Sequence, residues 1–517
     1  MSSDLFEIVP LLRRITVHPA IRDLGFLGAS TFLTAVAAMV VISLVGKAFG
    51  ATLLGEYLLI RRMASWLQAG VQLPSGVALP RYVAASLDDP ESPKVTYFVA
   101  ALGSACGIGL LICLVLAVWR IRISQLFFGS TRLDHLVFPL SLLLLGLAVH
   151  GVVFGYLQGI LAMGRASMLQ TCNLVMIPIL TTVLFRPLHS IALIVDAMGV
   201  LMIACAVLFA LPILPKSGLS LSTGKLKKHS SELLSYGFAR VSGDFGLQAI
   251  LSLPAVIAAH YFPMSSVALL LLAGSFLGVV SAATLPLGMV MLSRVSRSMA
   301  QMRISQLQTQ ISYFVSALVE LSLFIGLQLI VFCDVIVRAW VGSSFLEGIR
   351  VIQTVILGVP FYFVYAGLRN IIDAARVKAY NTKNVHIAAG AFLLSVVLVR
   401  VFVPDAHLLE GLAAAGVLGL AVLACCTLWT VGHLFEISVN WLRLLPGIGI
   451  GILFGGLSSS LHSWFRYQPH LFGLSLYEVS LSIIYLVALG ILDAPLVRFL
   501  RDTMFTYTSP KGEAADS

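Results

Sequence analysis

The sequence predicts an all-α polytopic membrane protein of about fourteen transmembrane helices, arranged as two pseudo-symmetric six-helix lobes plus two C-terminal helices. Three observations predict it. Of 517 residues, 59% are hydrophobic and 11% are charged, against roughly 25% charged in a soluble domain. The mean hydropathy is +0.99, and a soluble chain of this size would lack the polar surface to cover so large an apolar mass. The apolar residues also fall in runs long enough to cross a hydrocarbon core, which takes about 20 residues.

Taken in order, the runs place helices over about 24–46, 56–80, 96–119, 136–160, 168–185 and 190–213 in the first half. The second half offers about 234–259, 266–292, 307–333, 351–374, 385–403, 411–433, 444–462 and 473–496. Residues 1–23 form an N-terminal segment, in which Leu5 to Ile15 reads as an amphipathic stretch on the membrane surface rather than a cleavable signal. The lobes then occupy 24–214 and 233–434, joined by a basic linker at 215–232 that carries Lys216, Lys225, Lys227 and Lys228. Two extra helices fill 435–497, and 498–517 is a tail.

Lys and Arg number 33 and Asp and Glu 23, a net charge of +10. In a membrane protein such an excess collects in cytoplasmic loops, so it does not call for nucleic acid. Twenty basic residues fall on the side of the N-terminus and nine on the other, which places both termini in the cytoplasm; Arg120, Arg122 and Arg132 run against the trend. The seven cysteines are odd in number, lie in apolar runs and form no CxxC pair, so they read as small buried hydrophobes, with no metal site.

Leu73-Pro74-Ser75-Gly76 recurs 212 residues later as Leu285-Pro286-Leu287-Gly288, each copy followed by an arginine, Arg81 and Arg294. Each copy ends the second helix of its half. Parallel repeats of this kind are a transporter architecture.

A charge at mid-helix costs about 2.5–3.5 kcal/mol on insertion scales, so each one needs a reason. Arg61 and Arg62 lie about 9 Å inside the second span at 1.5 Å per residue; they read either as a cationic wall or as snorkelling side chains. Arg240 and Asp244 share a face of the seventh span at a spacing of four, as do Arg369 and Asp373 in the tenth, so each pair reads as a binding group or a mutually neutralising staple. Glu320 lies deep in the ninth span with no basic residue within a turn. It is the candidate for proton- or sodium-coupling, the alternative being a structural hydrogen bond. His150 reads as a packing residue. The nearest approach to a phosphate loop, Gly218 to Lys225, has five residues between its glycines and Leu226 where Ser or Thr is needed, so no nucleotide hydrolysis and no cofactor are expected.

Gly46-Lys47-Ala48-Phe49-Gly50, Leu54-Gly55-Glu56-Tyr57 and Ala78-Leu79-Pro80-Arg81-Tyr82-Val83-Ala84 together resemble the opening of bacterial polysaccharide flippases. Tyr236-Gly237, followed by Arg240 and Gly243-Asp244, is similar to the family's seventh helix. The resemblance is to Wzx-type repeat-unit flippases of the multidrug/oligosaccharidyl-lipid/polysaccharide (MOP) exporter superfamily. It implies two six-helix lobes, a cationic cavity, alternating access and a lipid-pyrophosphate-linked oligosaccharide substrate in the bacterial inner membrane. It further implies membrane lipids, a polysaccharide polymerase and a chain-length regulator as partners. Two alternatives stay open: a peptidoglycan-precursor or multidrug exporter of the same superfamily, and a membrane glycan polymerase or transferase. The enzyme reading is disfavoured by a first external loop, about 47–55, without an acid between Lys47 and Gly55.

Overall fold

The computed structural model describes residues 19–87, 94–213, 223–300, 304–375, 380–437, 441–467, 471–492, 494–496 and 498. The amphipathic stretch at Leu5 to Ile15 and the tail beyond 498 lie outside them. Every described element is helical. Twelve helices are long and apolar enough to cross a membrane, and a bent pair makes a thirteenth. The first of the twelve is itself two helices, as shown next.

In the first compact unit, Met1–Leu271, α1 runs over Pro19–Val71 and is broken only at Gly50, whose φ of 77° and ψ of −176° are not helical. At 1.5 Å per residue, 53 helical residues would measure about 80 Å, more than twice a hydrocarbon core. The external loop expected at 47–55 is thus one residue. The second span also ends earlier than expected. Pro74 has no N–H to continue a helix, and the chain turns through 72–77, where Ser75 and Gly76 both donate to the Gln72 carbonyl at 3.0 and 2.8 Å. Helix α2 (Ala78–Ala85) follows the turn.

Then come α3 (Lys94–Val118), α4 (Arg120–Phe128), α5 (Val137–Gly159), α6 (Met163–Thr171), α7 (Ile177–Phe185) and α8 (Ile191–Ala210). The segment between α6 and α7 is a π-turn, Cys172–Met176, so the span expected at 168–185 is a composite over Met163–Leu188. Water cannot satisfy a backbone in lipid, and hydrophobicity does not drive one helix onto another there. Small residues and buried amides do that work instead. Gly146 and Gly199 let α5 and α8 touch at backbone distance: a Cβ at 199 would stand 2.6 Å from the Leu142 carbonyl carbon. Buried Asn173 donates to Met202 O at 3.4 Å and pairs with His150 at 3.2 Å, which bears out His150 as a packing residue. Arg120, one of the basic residues that ran against the charge trend, pairs with Asp134 at 3.0 Å.

Helix α9 spans Thr223–Ala259. The linker expected at 215–232 is therefore already helical from Thr223, and Lys225, Lys227 and Lys228 ride on that helix rather than on a loop. Because α9 packs on α1, α2, α3 and α4, the boundary between the two compact units falls at Leu271 and Leu272 rather than in the linker.

The boundary lies within α10 (Met264–Ala300). The second unit then contains α11 (Ile304–Val331), α12 (Cys333–Trp340), α13 (Ile349–Ile356), α14 (Val359–Ala375), α15 (Tyr380–Phe402), α16 (Leu408–Phe435), α17 (Trp441–Tyr467) and α18 (Leu471–Ile491). The span expected at 351–374 is the bent pair, with 41° between its arms. Burial pushes the Cys333 thiol, at the start of α12, up to about 12, with Asp334 adding to it. Cys425 is exposed and the other five cysteines are half-buried, so the expectation of buried hydrophobes holds for Cys333 alone. The second Leu-Pro-x-Gly copy lies inside the unbroken helix α10. The two copies are therefore not structural equivalents: the first ends a helix, the second does not.

Candidate functional site

The break after α1 organises the polar residues of the first unit. Two helices clamp the 72–77 turn by glycine. On one side α5 presents Gly155 and Gly159, where a Cβ would stand 2.8 Å from Ser75 O and 2.7 Å from Val83 Cβ. On the other, α9 presents Gly237 so closely that a Cβ would overlap the Leu73 carbonyl. This approach brings the preceding residue, Tyr236, to the first turn of α2.

Arg81 on α2 donates from Nη1 to the Tyr236 hydroxyl at 2.7 Å, and its guanidinium carbon lies 5.0 Å from the centre of that ring. Arg240, one turn along α9, lies over the same ring at 4.3 Å. Tyr82 meets Tyr236 edge-on at 6.1 Å and stacks on Tyr97 at 5.5 Å. Tyr97 donates to Glu232 Oε2 at 2.8 Å, and His229 Nδ1 lies 3.1 Å from the same oxygen. Burial works to raise the pKa of Glu232. The hydrogen bonds from His229 and Tyr97, with the charges of His229 and Lys228, outweigh it and hold the carboxyl below its ordinary range.

Arg61 and Arg62 are half-buried in the second arm of α1. Arg61 bonds within its own helix, donating to the Tyr57 hydroxyl at 3.2 Å with its guanidinium 5.7 Å from that ring. Asp244 is exposed, one turn beyond Arg240, while Arg240 itself is turned to Tyr236. In the second unit, Arg369 and Asp373 are tied through Asn381 at the start of α15. Its amide donates to Arg369 O at 2.9 Å and to Asp373 Oδ1 at 2.8 Å.

Glu320 is 1% exposed, on α11. Its Oε2 accepts from the Leu496 N–H at 3.1 Å, and Tyr485 donates to its backbone carbonyl at 3.3 Å. Its Oε1 has no hydrogen-bond partner among the described residues and faces Gly447, where a Cβ would stand 2.5 Å away. The expected residues thus divide: Arg61, Arg62, Arg240 and Asp244 in the first unit, Arg369, Asp373 and Glu320 in the second. Sequence reasoning did not find the Tyr82–Tyr97–Tyr236 cluster or the part played by Arg81. The available signal was three tyrosines, each within four residues of an Arg or Lys.

These helices define a class: the chain has the fold of MOP-superfamily flippases and exporters. It is similar to the lipid II flippase MurJ in an inward closed conformation, with a TM-score of 0.61 and 16% identity over 86% of this chain and 99% of that one. An inward-facing multidrug resistance MATE family transporter of the MOP superfamily matches at 0.61 and 14% identity, over 78% and 94%. The Vibrio cholerae MATE transporter VcmN in its bent form matches at 0.55 and 15% identity, over 80% and 97%. These neighbours are transporters and flippases, not enzymes. No family model and no curated protein matches the sequence.

Proposed function

We propose that this protein flips lipid-pyrophosphate-linked oligosaccharide repeat units from the inner to the outer leaflet of a bacterial inner membrane by alternating access, for exopolysaccharide or O-antigen assembly. One observation carries the reading: Arg61 and Arg240, each half-buried and each backed by a tyrosine ring, stand on helices of a MOP-type fold. An arginine fork suits phosphate oxygens, whereas a cationic drug would be repelled. Moving one negative charge outward across 100 mV, inside negative, gains about 2.3 kcal/mol. Glu320 is the proposed proton- or sodium-coupling residue, supported by its burial and by one oxygen without a hydrogen-bond partner among the described residues. A polymerase and a chain-length regulator are the proposed partners.

The likeness to the lipid II flippase supports a second reading, export of a peptidoglycan precursor. The test is reconstitution into vesicles with a fluorescent lipid-diphosphate oligosaccharide, a lipid-diphosphate peptidoglycan precursor and a cationic dye as competing cargoes. Transport of the first is the expected result. Transport of the dye alone overturns the proposal, and transport of the second alone selects the other reading.

A further inference from the structure

We infer that Arg81, Tyr236 and Arg240 form a binding site for a diphosphate group, the part of the cargo this chain engages where α9 leads into the membrane. The inference deepens the proposed function and rests on it for the cargo's identity.

The geometry is unusual for a structural contact. Both guanidinium carbons lie within 5.0 Å of one ring centre, so they are at most 9.3 Å apart. Like charges at such a separation repel, the more so where the surroundings are of low dielectric. Among the described residues neither guanidinium is ion-paired to a carboxylate. Of the described acids nearby, Glu232 is already committed to Tyr97 and His229, and Asp244 is exposed one turn beyond Arg240.

The hydrogen-bond inventory points the same way. A guanidinium carries five N–H donors. Among the described residues Arg81 uses one of them, on the Tyr236 hydroxyl, and Arg240 makes only its contact with the ring face. Two guanidinium forks with donors to spare among the described residues, steadied by one aromatic ring, fit a dianion with several oxygens. Tyr236 serves as the positioning residue. Its ring supports both cations and its hydroxyl orients Arg81, while the close approach of Gly237 to Leu73 fixes where the ring sits.

Two sources carry this chemistry, the diphosphate of a lipid-linked glycan and the headgroup of an anionic phospholipid; the proposal commits to the first. Arg240 heads the apolar stretch Arg240–Ala259, and Arg81 is exposed, so the site is open to a headgroup-level ligand.

The probe is inorganic pyrophosphate, titrated by calorimetry into the full-length protein in nanodiscs of zwitterionic lipid. Wild type should bind it, more weakly as salt rises. Arg81→Ala and Arg240→Ala should each weaken binding by about 10- to 100-fold, the scale of a charge-assisted hydrogen bond. Arg81→Lys and Arg240→Lys should fall between, keeping the charge and losing the fork. Tyr236→Phe should weaken binding less than either alanine variant.

Absence of binding by wild type, or equal binding by wild type and both alanine variants, overturns the site. If the alanine variants melt far below wild type, the lysine variants decide, and pyrophosphate affinity unchanged in both also overturns it. In nanodiscs containing phosphatidylglycerol, retained pyrophosphate binding supports the cargo as source, and complete loss assigns the site to membrane lipid instead. Wild type that binds pyrophosphate yet moves no lipid-diphosphate oligosaccharide in vesicles leaves the anion site standing and removes the transport reading, so the two failures are distinct.

Discussion

Arg81 and Tyr236 are 155 residues apart in sequence and bonded at 2.7 Å in the fold. The bond ties the helix after the Pro74 break to the helix that carries the chain into its span at 240–259. Tyr236→Phe should therefore lower stability by about 0.5–1.5 kcal/mol, the net value of one hydrogen bond. Tyr236→Ala should cost more, because the ring also meets Arg240 and Tyr82. Thermal unfolding in detergent reads both, and equal melting of wild type and Tyr236→Ala would dismiss the contact as incidental.

The glycines around the same turn are not equivalent. Gly237→Ala and Gly155→Ala would push a methyl group into backbone carbonyls, of Leu73 and Ser75 respectively. Each should cost roughly 1–3 kcal/mol or more, as overpacking does. Gly103 and Gly107 have nothing within 4 Å of a Cβ. Alanine there should be neutral or stabilising, since it removes unfolded-state freedom and improves helix propensity. The order of melting temperatures across these four variants checks the prediction.

Glu232 predicts an acid-side loss of stability. Its carboxyl is held below its ordinary range when folded. A lowered folded pKa contributes stability that is present above the unfolded value and lost as pH falls through the folded one. Wild type should therefore lose more stability than Glu232→Gln between about pH 7 and about pH 3.5. Parallel melting curves for the two proteins across that interval would show that the His229 and Tyr97 contacts carry no net energy.

For Glu320, two substitutions separate packing from coupling. Glu320→Gln keeps the volume and an acceptor for the Leu496 N–H, so folding should be within about 1 kcal/mol of wild type. Transport should slow and lose its dependence on external pH or sodium. Glu320→Ala leaves that N–H without its acceptor, for a cost of about 1–3 kcal/mol. Unchanged transport by Glu320→Gln at every pH and sodium concentration would leave the residue a structural one.

Orientation is checked by single cysteines at Ser220 and Thr508 in a cysteine-less background. Both should be labelled from the cytoplasmic side only. Labelling of either from outside would reverse the charge-based assignment.

The span inventory was legible because hydropathy reports on length and apolarity, and those alone decide whether a helix can cross lipid. Helix ends were less so. Pro74 falls inside the span expected over 56–80, whereas its missing N–H ends the helix three residues earlier, at Val71. The Leu-Pro-x-Gly repeat was legible as text but misleading as structure, because α10 continues through the second copy. Arg240 was found from its cost in lipid, but its partner was not. Spacing along one helix pointed to Asp244, and the actual contact, Tyr236, is also four residues away, on the N-terminal side. The contact of Arg81 was invisible in the sequence because it is made with a chain segment 155 residues distant.

Gly50 carries a consequence for chirality. Its φ of 77° and ψ of −176° belong to a region that left-handed amino acids essentially never occupy, yet nothing lies within 4 Å of where its Cβ would be. An L side chain thus has room at this position and is rejected by the backbone angles alone. The mirror image of these angles lies in ordinary extended space. In a semisynthetic protein, D-alanine at position 50 should therefore suit the backbone angles, while L-alanine should force its two arms to be drawn anew.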